Sequence, residues 1–233
     1  MTPVLTVYAG SSLTGADCER LATTAAGSGV ELRFRPAIKR GDLLHAPMAT
    51  GWQDRVLILD GHFGQDMAVS VAEVRAYLNW GAYLAGASSM GALRAVECYP
   101  LGMVGHGWVV QQYRKGRIDA DSDVALLMAP DTSEALTIPL VNVRWLLSRL
   151  SAQGLITQAG KALAIAAALH YRNRLPQILA ARFADGLPPD AARVLSGYLE
   201  PEVLPTWDRK RLDGVEATEF EIRALSAGLA EVS

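Results

Sequence analysis

Two adjacent serines stand where an apolar run meets a helical pattern, in Ala82-Tyr83-Leu84-Ala85-Gly86-Ala87-Ser88-Ser89-Met90-Gly91-Ala92-Leu93-Arg94. Around Ser89 the local pattern is small-x-Ser-x-Gly. A sharp strand-to-helix turn of this kind holds a serine hydroxyl above a sheet edge, and Gly91 leaves room for it. The free N–H groups at the helix start, from Met90 and Gly91, face the same space. Such donors suit an oxyanion better than a neutral carbonyl, which lowers an acyl-transfer barrier. On this pattern Ser89 is the expected nucleophile. The plainer reading is that Ser88 or Ser89 caps the helix. Neither has Glu or Gln three residues later, so the capping-box signature is missing.

A serine nucleophile is normally activated by a base. The chain has four histidines. His62 follows Asp60-Gly61 at the end of an apolar run, beside the strand that presents Ser89 if the two pair. It is the expected base. His106, in a glycine-rich loop, is the second choice. His45 and His170 fall on helical stretches and belong at the surface or core edge. Lys39, Glu73 and water are the remaining acceptors. Asp60 either orients a donor or bonds the serine turn, or it caps the amides of its own loop. Arg94 and Glu97 are spaced i, i+3, which reads as a surface ion pair of about 0.3 kcal/mol. The alternative is Arg94 gripping a carboxylate or a polypeptide backbone. Arg40 and Asp42, in a loop at the same sheet edge, carry the same ambiguity.

These residues need a scaffold, and the pattern supplies one. Val4–Tyr8, Val30–Arg35, Arg55–Leu59 and Ala82–Gly86 read as strands. Helical spacing fills 13–27, Ala68–Trp80 and Met90–Cys98. Alternating helices and near-continuous apolar strands predict an α/β fold with an open, mostly parallel sheet flanked by helices. Small and polar residues gather after each strand, at the carboxyl edge where such sheets bind ligands. Beyond Tyr99 the reading is a loop at Gly102–Gly107, then helices at Ala135–Leu150, Lys161–Asn173, Leu175–Asp185 and Asp190–Leu199. The expected division is an α/β core over 1–130 and a helical cap over 131–233. Trp207–Leu212, with Arg209-Lys210-Arg211, is expected to be a solvated segment.

Composition removes several function classes. The 233 residues carry 22 Lys+Arg and 24 Asp+Glu, a net charge of −2. A near-neutral chain lacks the electrostatic footprint of general nucleic-acid binding. The longest apolar run, Ala162–Leu169, is far below the ~20 residues that span a bilayer. Met1-Thr2-Pro3-Val4 has no basic n-region. Cys18 and Cys98 are isolated, so neither a zinc site nor a structural disulfide is expected. The expectation is a soluble, cytoplasmic protein with no metal, no cofactor, no nucleic-acid partner and no membrane partner. Asp119-Ala120-Asp121-Ser122-Asp123 begins like a calcium loop, but Val124 and Pro130 occupy its Gly and Glu positions. Gly105-His106-Gly107 lacks the third glycine of a dinucleotide fingerprint, and there is no phosphate loop, so ATP chemistry falls to a partner.

Gly86-Ala87-Ser88-Ser89-Met90-Gly91-Ala92-Leu93-Arg94-Ala95-Val96-Glu97 resembles the signature of the TfuA family. Further elements agree in order: Gly10-Ser11-Ser12-Leu13, Arg35-Pro36-Ala37-Ile38-Lys39-Arg40-Gly41-Asp42-Leu43, Asp60-Gly61-His62-Phe63, Gly102-Met103-Val104-Gly105, and Asp121-Ser122-Asp123-Val124-Ala125. The resemblance spans residues 4 to about 128. Ala87–Ala92 is also similar to the Ala-Ser-Met-Gly-Ala segment of Clp-type serine peptidases, which aligns their nucleophile with Ser89.

The TfuA resemblance implies partnership with a YcaO enzyme that puts sulfur into peptide backbones. It also implies hydrolysis of a thiocarboxylate at the C-terminus of a ubiquitin-like sulfur-carrier protein. A precursor peptide is a further partner it leaves open. The chain departs from the family at Val71-Ala72-Glu73-Val74, where the family pattern has His-Lys-Glu-Ile, and at Asp121-Ser122-Asp123, where it has Asp-Asp-Glu. The rival reading is a non-catalytic adaptor that docks the carrier or the peptide on the YcaO enzyme.

A carrier tail ending in Gly-Gly is thin, so the expected site is a narrow groove. Its floor is Gly10–Leu13, Pro36–Asp42, Asp60–Phe63 and Ala87–Gly91, and its wall is Gly102–Gly107. Met90, Gly91, Gly10, Ser12 and Gly61 are the expected oxyanion and tail contacts, with Arg40, Asp42 and Arg94 at the rim.

Overall fold

The computed structural model describes residues 2–45, 54–64, 66–129 and 134–232. Met1, Pro130 and the expected boundary at 130/131 lie outside the described residues. The chain forms two compact units, one of Met1–Arg117 with Lys210–Ser233, the other of Ile118–Arg209.

In the first unit the order is β1 Val4–Tyr8, α1 Gly15–Gly27, β2 Glu31–Arg35, β3 Asp54–Ile58, α2 Val71–Asn79, β4 Tyr83–Gly86, α3 Met90–Glu97, β5 Val104–Gly105 and α4 Gly107–Arg114. The second unit holds α5 Asp121–Val124, α6 Leu140–Ala152, α7 Ala159–Ala167, α8 Pro176–Gly186, α9 Pro189–Tyr198 and α10 Leu204–Trp207. The long α11, Arg209–Val232, then carries the chain back into the first unit.

The sheet is parallel throughout, in the order β2-β1-β3-β4-β5. The fold is therefore the expected α/β class, with helices through the C-terminal half. Connections run one way from β1 to β2 and the other way from β3 onward. The reversal falls between β1 and β3, and open sheets leave a crevice outside the carboxyl ends of two such strands. β3 pairs with β4, Ile58 opposite Gly86. The loop at Asp60 and the turn at Ser88-Ser89 thus leave neighbouring strands.

Local chemistry sets the helix starts. Thr14 caps α1, accepting from Asp17 N at 3.1 Å, while Asp17 Oδ2 accepts from Thr14 N at 3.0 Å. Ser70 and Glu73 form the same reciprocal box at α2. α4 has no local cap. Asp213, from α11, accepts from Trp108 N at 2.9 Å and Val109 N at 2.7 Å instead. Gly107 is required there, because its φ is +91° and a Cβ would lie 2.5 Å from the Asp213 carboxyl carbon.

The expected solvated segment at Trp207–Leu212 is corrected by this arrangement. Trp207, Arg209 and Lys210 are buried, and residue 209 opens a helix of 24 residues. The Arg209 guanidinium lies over the Trp145 ring at 5.1 Å, which hides a charge on an aromatic face. Arg211 makes two 2.7 Å bonds to the Asp17 carboxylate. Farther along, Ala217, Ile222 and Leu225 share a core with Leu5, Val7, Leu57, Leu59, Ala85 and Ala87. Three basic residues in a row are therefore a helix start whose charges are partnered or stacked. The Gly102–Gly107 loop also contains the two-residue β5. The helix expected from Ala135 begins at Leu140, because Pro139 is itself extended, with φ −61° and ψ 143°, and serves as its N-cap.

The second unit has its own apolar core, including Leu146, Leu150, Leu179, Phe183 and Leu195. Among the described residues no helix is long and apolar enough to cross a membrane.

Glu221 of α11 is fully buried and collects three donors: Arg55 Nη1 at 2.7 Å, Tyr83 Oη at 2.8 Å and His106 Nε2 at 2.7 Å. Burial alone would raise its carboxyl pKa. The bonds from His106, Arg55 and Tyr83 outweigh burial and hold it below the usual carboxylate range. A depressed folded-state pKa contributes stability that is present above the unfolded value and lost as pH falls through the folded one. Glu221→Gln should therefore lower the stability measured by urea unfolding at pH 7 by about 3 kcal/mol. That deficit should shrink on acidification below about pH 4. A deficit that stays constant down to acid would contradict an ionised Glu221.

Candidate active site

The serine turn is built on the backbone of β3. Ala87 N donates to Ile58 O at 3.0 Å, and Ser89 N and Gly91 N both donate to Leu59 O at 3.2 Å. The start of α3 is stapled to the end of the neighbouring strand. A Cβ at Gly91 would lie 1.8 Å from Ile58 O, and one at Gly86 would lie 2.1 Å from Gly91 O. Both positions need glycine because backbone meets backbone.

Ser88 takes the left-handed bend at the centre of the turn. Its φ is +67°, and among the described residues it is the sole non-glycine with positive φ. Such a conformation is strained for an L-residue and persists only when the surroundings hold it. Its Oγ lies 2.6 Å from Ser12 Oγ. Ser12 Oγ donates to Asp60 Oδ1 at 2.7 Å. Asp60 Oδ2 accepts from Gly10 N at 2.8 Å and Ser12 N at 2.9 Å. The loop after β1, the loop after β3 and the turn after β4 are thereby joined through one carboxylate. Asp60, Ser12 and Ser88 are all buried.

Ser89 is 2% exposed and is the N-cap residue of α3, yet its side chain makes no capping bond. Ser88 makes its side-chain bond to Ser12. Neither serine plays the capping part that sequence offered as the plain alternative.

The expected oxyanion donors separate into two groups. Gly91 N is engaged by Leu59 O, and Gly10 N and Ser12 N by Asp60. These three amides are fixed inside the fold. Met90 N and Gly61 N have no acceptor among the described residues. The Gly61 backbone packs on the Met90 side chain, and a Cβ there would sit 2.8 Å from Met90 Cγ and 2.9 Å from Ile38 Cγ2. Ile38 N donates to Asp60 O and His62 N donates to Ile38 O, each at 2.9 Å. The Pro36–Asp42 segment is thus bridged to the Asp60 loop. All four floor loops meet at this end of the sheet.

The expected base is placed differently from what its neighbours suggest. His62 is exposed, and its ring makes no hydrogen bond among the described residues. His106 gives its Nε2 to Glu221 and packs its ring on Phe220, centroids 4.8 Å apart. Glu73 is buried and held by Gly41 N at 2.6 Å and Ser70 N at 3.0 Å. Lys39 is exposed, with its N–H on Asp42 Oδ2 at 2.9 Å, so Asp42 closes its own turn. Arg94 Nε donates to Val69 O at 2.7 Å and Nη1 pairs with Glu97, so this guanidinium ties α3 to the approach of α2. Arg40 is exposed, and its N–H donates to Met67 O at 2.8 Å.

Sequence reasoning did not find the Ser88–Ser12–Asp60 chain. Ser88 in a left-handed bend has no signature, because glycine and asparagine are the usual occupants of such positions. Gly10-Ser11-Ser12 after a strand was the available signal for Ser12, and Asp60 at a strand end was the signal for its partner.

An open parallel α/β domain with a strained serine turn at its carboxyl edge, a buried carboxylate and two unpaired amides is a scaffold suited to acyl chemistry. The family described as TfuA-like protein matches residues 60–175, and through this stretch the chain belongs to the TfuA-like family. Membership associates it with YcaO-dependent thioamidation. No curated protein matches the chain.

Gly91→Ala should disrupt the domain, because the added methyl would overlap the Ile58 carbonyl. A loss of at least about 3 kcal/mol is expected in thermal or urea unfolding, the upper end of the usual overpacking range. An alanine variant as stable as the parent would show that α3 does not sit on β3 as described.

Proposed function

We propose that this protein hydrolyses a thiocarboxylate at the C-terminus of a ubiquitin-like sulfur-carrier protein, releasing sulfide that a YcaO enzyme places in a peptide backbone. The observation that carries the proposal is the serine turn. It has a hydroxyl chain to Asp60 on one side and the unpaired Met90 and Gly61 amides on the other.

A serine hydroxyl of the turn attacks the carbonyl carbon. The developing oxyanion takes bonds from Met90 N and Gly61 N. The tetrahedral intermediate collapses with cleavage of the C–S bond, and the carrier is left as an acyl ester on serine. Water then hydrolyses the ester. Summed, thiocarboxylate and water give carboxylate, hydrosulfide and one proton. Hydrosulfide leaves far more readily than an amine, so the site needs no strong general acid. That suits a turn to which no histidine among the described residues is bonded, and it disfavours a peptidase reading.

The adaptor reading draws on the missing His-Lys-Glu and on the helical second unit. Two measurements separate it from hydrolysis. The turn variant Ser88→Ala/Ser89→Ala, mixed with thiocarboxylated carrier, should lose sulfide release by on the order of 10³-fold. Free sulfide, supplied in excess, should restore thioamidation by the YcaO enzyme in the absence of this protein. Undiminished release by the double variant would end the serine mechanism. A continued need for this protein with sulfide abundant would favour docking.

A further inference from the structure

We infer that the hairpin of the second unit, with arms at 126–129 and 134–137, is a docking arm that takes up an extended, basic segment of a partner polypeptide as an added strand. The inference goes beyond the hydrolysis reading and does not depend on it.

The register of the hairpin carries the argument. Met128 bridges antiparallel to Ala135. Leu136 N donates to Leu127 O at 2.8 Å, and Ala129 N donates to Glu134 O at 2.9 Å. The bonded positions therefore flank the 128/135 pair. In an antiparallel ladder such an unbonded pair turns its N–H and C=O groups outward. Met128 and Ala135 accordingly make no backbone hydrogen bond among the described residues, and neither does Leu126. Leu126 and Met128 are two positions apart, so one arm leaves two N–H and two C=O groups open at strand spacing. The other arm offers only Ala135, because Thr137, its next outward position, is buried. A ligand that matches the open arm must carry donors and acceptors alternating along its length, and an extended peptide backbone does so.

The side chains agree with that occupant. Leu127, Met128 and Leu136 are 37%, 41% and 40% exposed. Leu127 and Leu136 stand opposite each other on one face of the ribbon, and Met128 lies on the other. A two-stranded ribbon is marginal by itself. Large apolar side chains on both of its faces are what the alternating side chains of a third strand would pack beside.

The arm is also fastened at its base. Arg174 is buried, and its Nη1 donates to Ser122 O at 3.1 Å, ahead of the first arm. Its carbonyl accepts from Ile138 N at 2.9 Å, just after the second arm. Leu127 N donates to Thr137 Oγ1 at 2.7 Å across the base. An arm held at both roots is preorganised, so little affinity is lost to ordering it.

Charge selects among extended segments. Residues 118–143 hold Asp119, Asp121, Asp123, Asp131 and Glu134 and no lysine or arginine, although the whole chain nets only −2. Asp119, Asp121 and Glu134 are exposed. A second copy of this chain would bring the same charges against each other. A strand carrying Lys or Arg is drawn to them instead. The partner segment is therefore basic, with apolar residues at alternate positions.

The test uses the full chain and a blocked, fluorescent peptide, Lys-Lys-Val-Thr-Val-Thr-Val-Lys, with binding read by anisotropy. Two control peptides have Glu in place of Lys, or N-methyl groups on alternate amides. The basic peptide should bind, and both controls should bind at least about tenfold more weakly. Met128→Pro removes an N–H from the open edge without breaking a bond within the hairpin. It should weaken binding of the basic peptide at least about tenfold with Tm unchanged. Asp119→Asn/Asp121→Asn leaves the backbone edge intact, so it tests the charge even if the proline variant unfolds. It should weaken binding and flatten its dependence on salt. Hydrogen exchange locates the contact, since the basic peptide should slow exchange of the Leu126 and Met128 amides. No binding of the basic peptide, equal binding of all three peptides, or binding that leaves those two amides unprotected would each overturn the inference. Self-association of the chain, seen by sedimentation and abolished by Met128→Pro, would make a second copy the occupant and also overturn it. Every readout is made without carrier or sulfide, so the hydrolysis reading stands or falls separately.

Discussion

The Asp60 carboxylate is the constraint on which the rest of the site depends. It lies two residues beyond the end of β3, where the strand order reverses and the loops after β1 and β4 come alongside. One carboxylate oxygen takes two backbone amides of the loop after β1, and the other takes the Ser12 hydroxyl. Bonds from neutral donors to a buried charge are stronger than ordinary ones, about 1.5–3 kcal/mol each. The loop after β1 is held shut by them, and Ser12 is delivered to Ser88 as a consequence. Without the carboxylate, two glycine- and serine-rich loops would have no reason to share one geometry.

A second constraint acts from behind the sheet. α11 enters the first unit from the far end of the chain and places three carboxylates on it. Asp213 caps α4, Glu219 pairs with Arg20, and Glu221 gathers Arg55, Tyr83 and His106. Gly214 comes close enough to the Ser12 carbonyl that a Cβ would lie 3.2 Å from it. The helix therefore backs the same loop that Asp60 holds from the front. His106 and its glycines are part of this buttress, which explains why a histidine in a permissive loop is drawn away from the serine turn.

Much of the sheet was legible in the residues, and the reasons are physical. Val4–Tyr8, Val30–Arg35 and Arg55–Leu59 are short apolar runs broken by glycine, proline or aspartate, a pattern that a buried parallel strand cannot avoid. Gly86 and Gly91 were readable as a tight turn because only glycine survives there. α11 was hidden because its first residues, Arg209-Lys210-Arg211, look like solvated surface until their partners are known, and Asp17 lies 194 positions from Arg211. β5 was hidden because two residues have no period. In the site, Ser89 stood out through a local pattern, whereas the bond from Ser88 to Ser12 spans 76 positions and leaves no mark on either neighbourhood.

Among the described residues no histidine makes a hydrogen bond to the serine turn, and the proposed hydrolysis does not call for one. An amine leaving group must be protonated as it departs, and imidazole is suited to that because it titrates near neutral pH. A thiocarboxylate sulfur needs only the proton that the attacking hydroxyl gave up. The proposed reaction asks for no more than a serine of the turn, the Met90 and Gly61 amides and the Asp60 carboxylate. Those same parts are poorly equipped for amide cleavage.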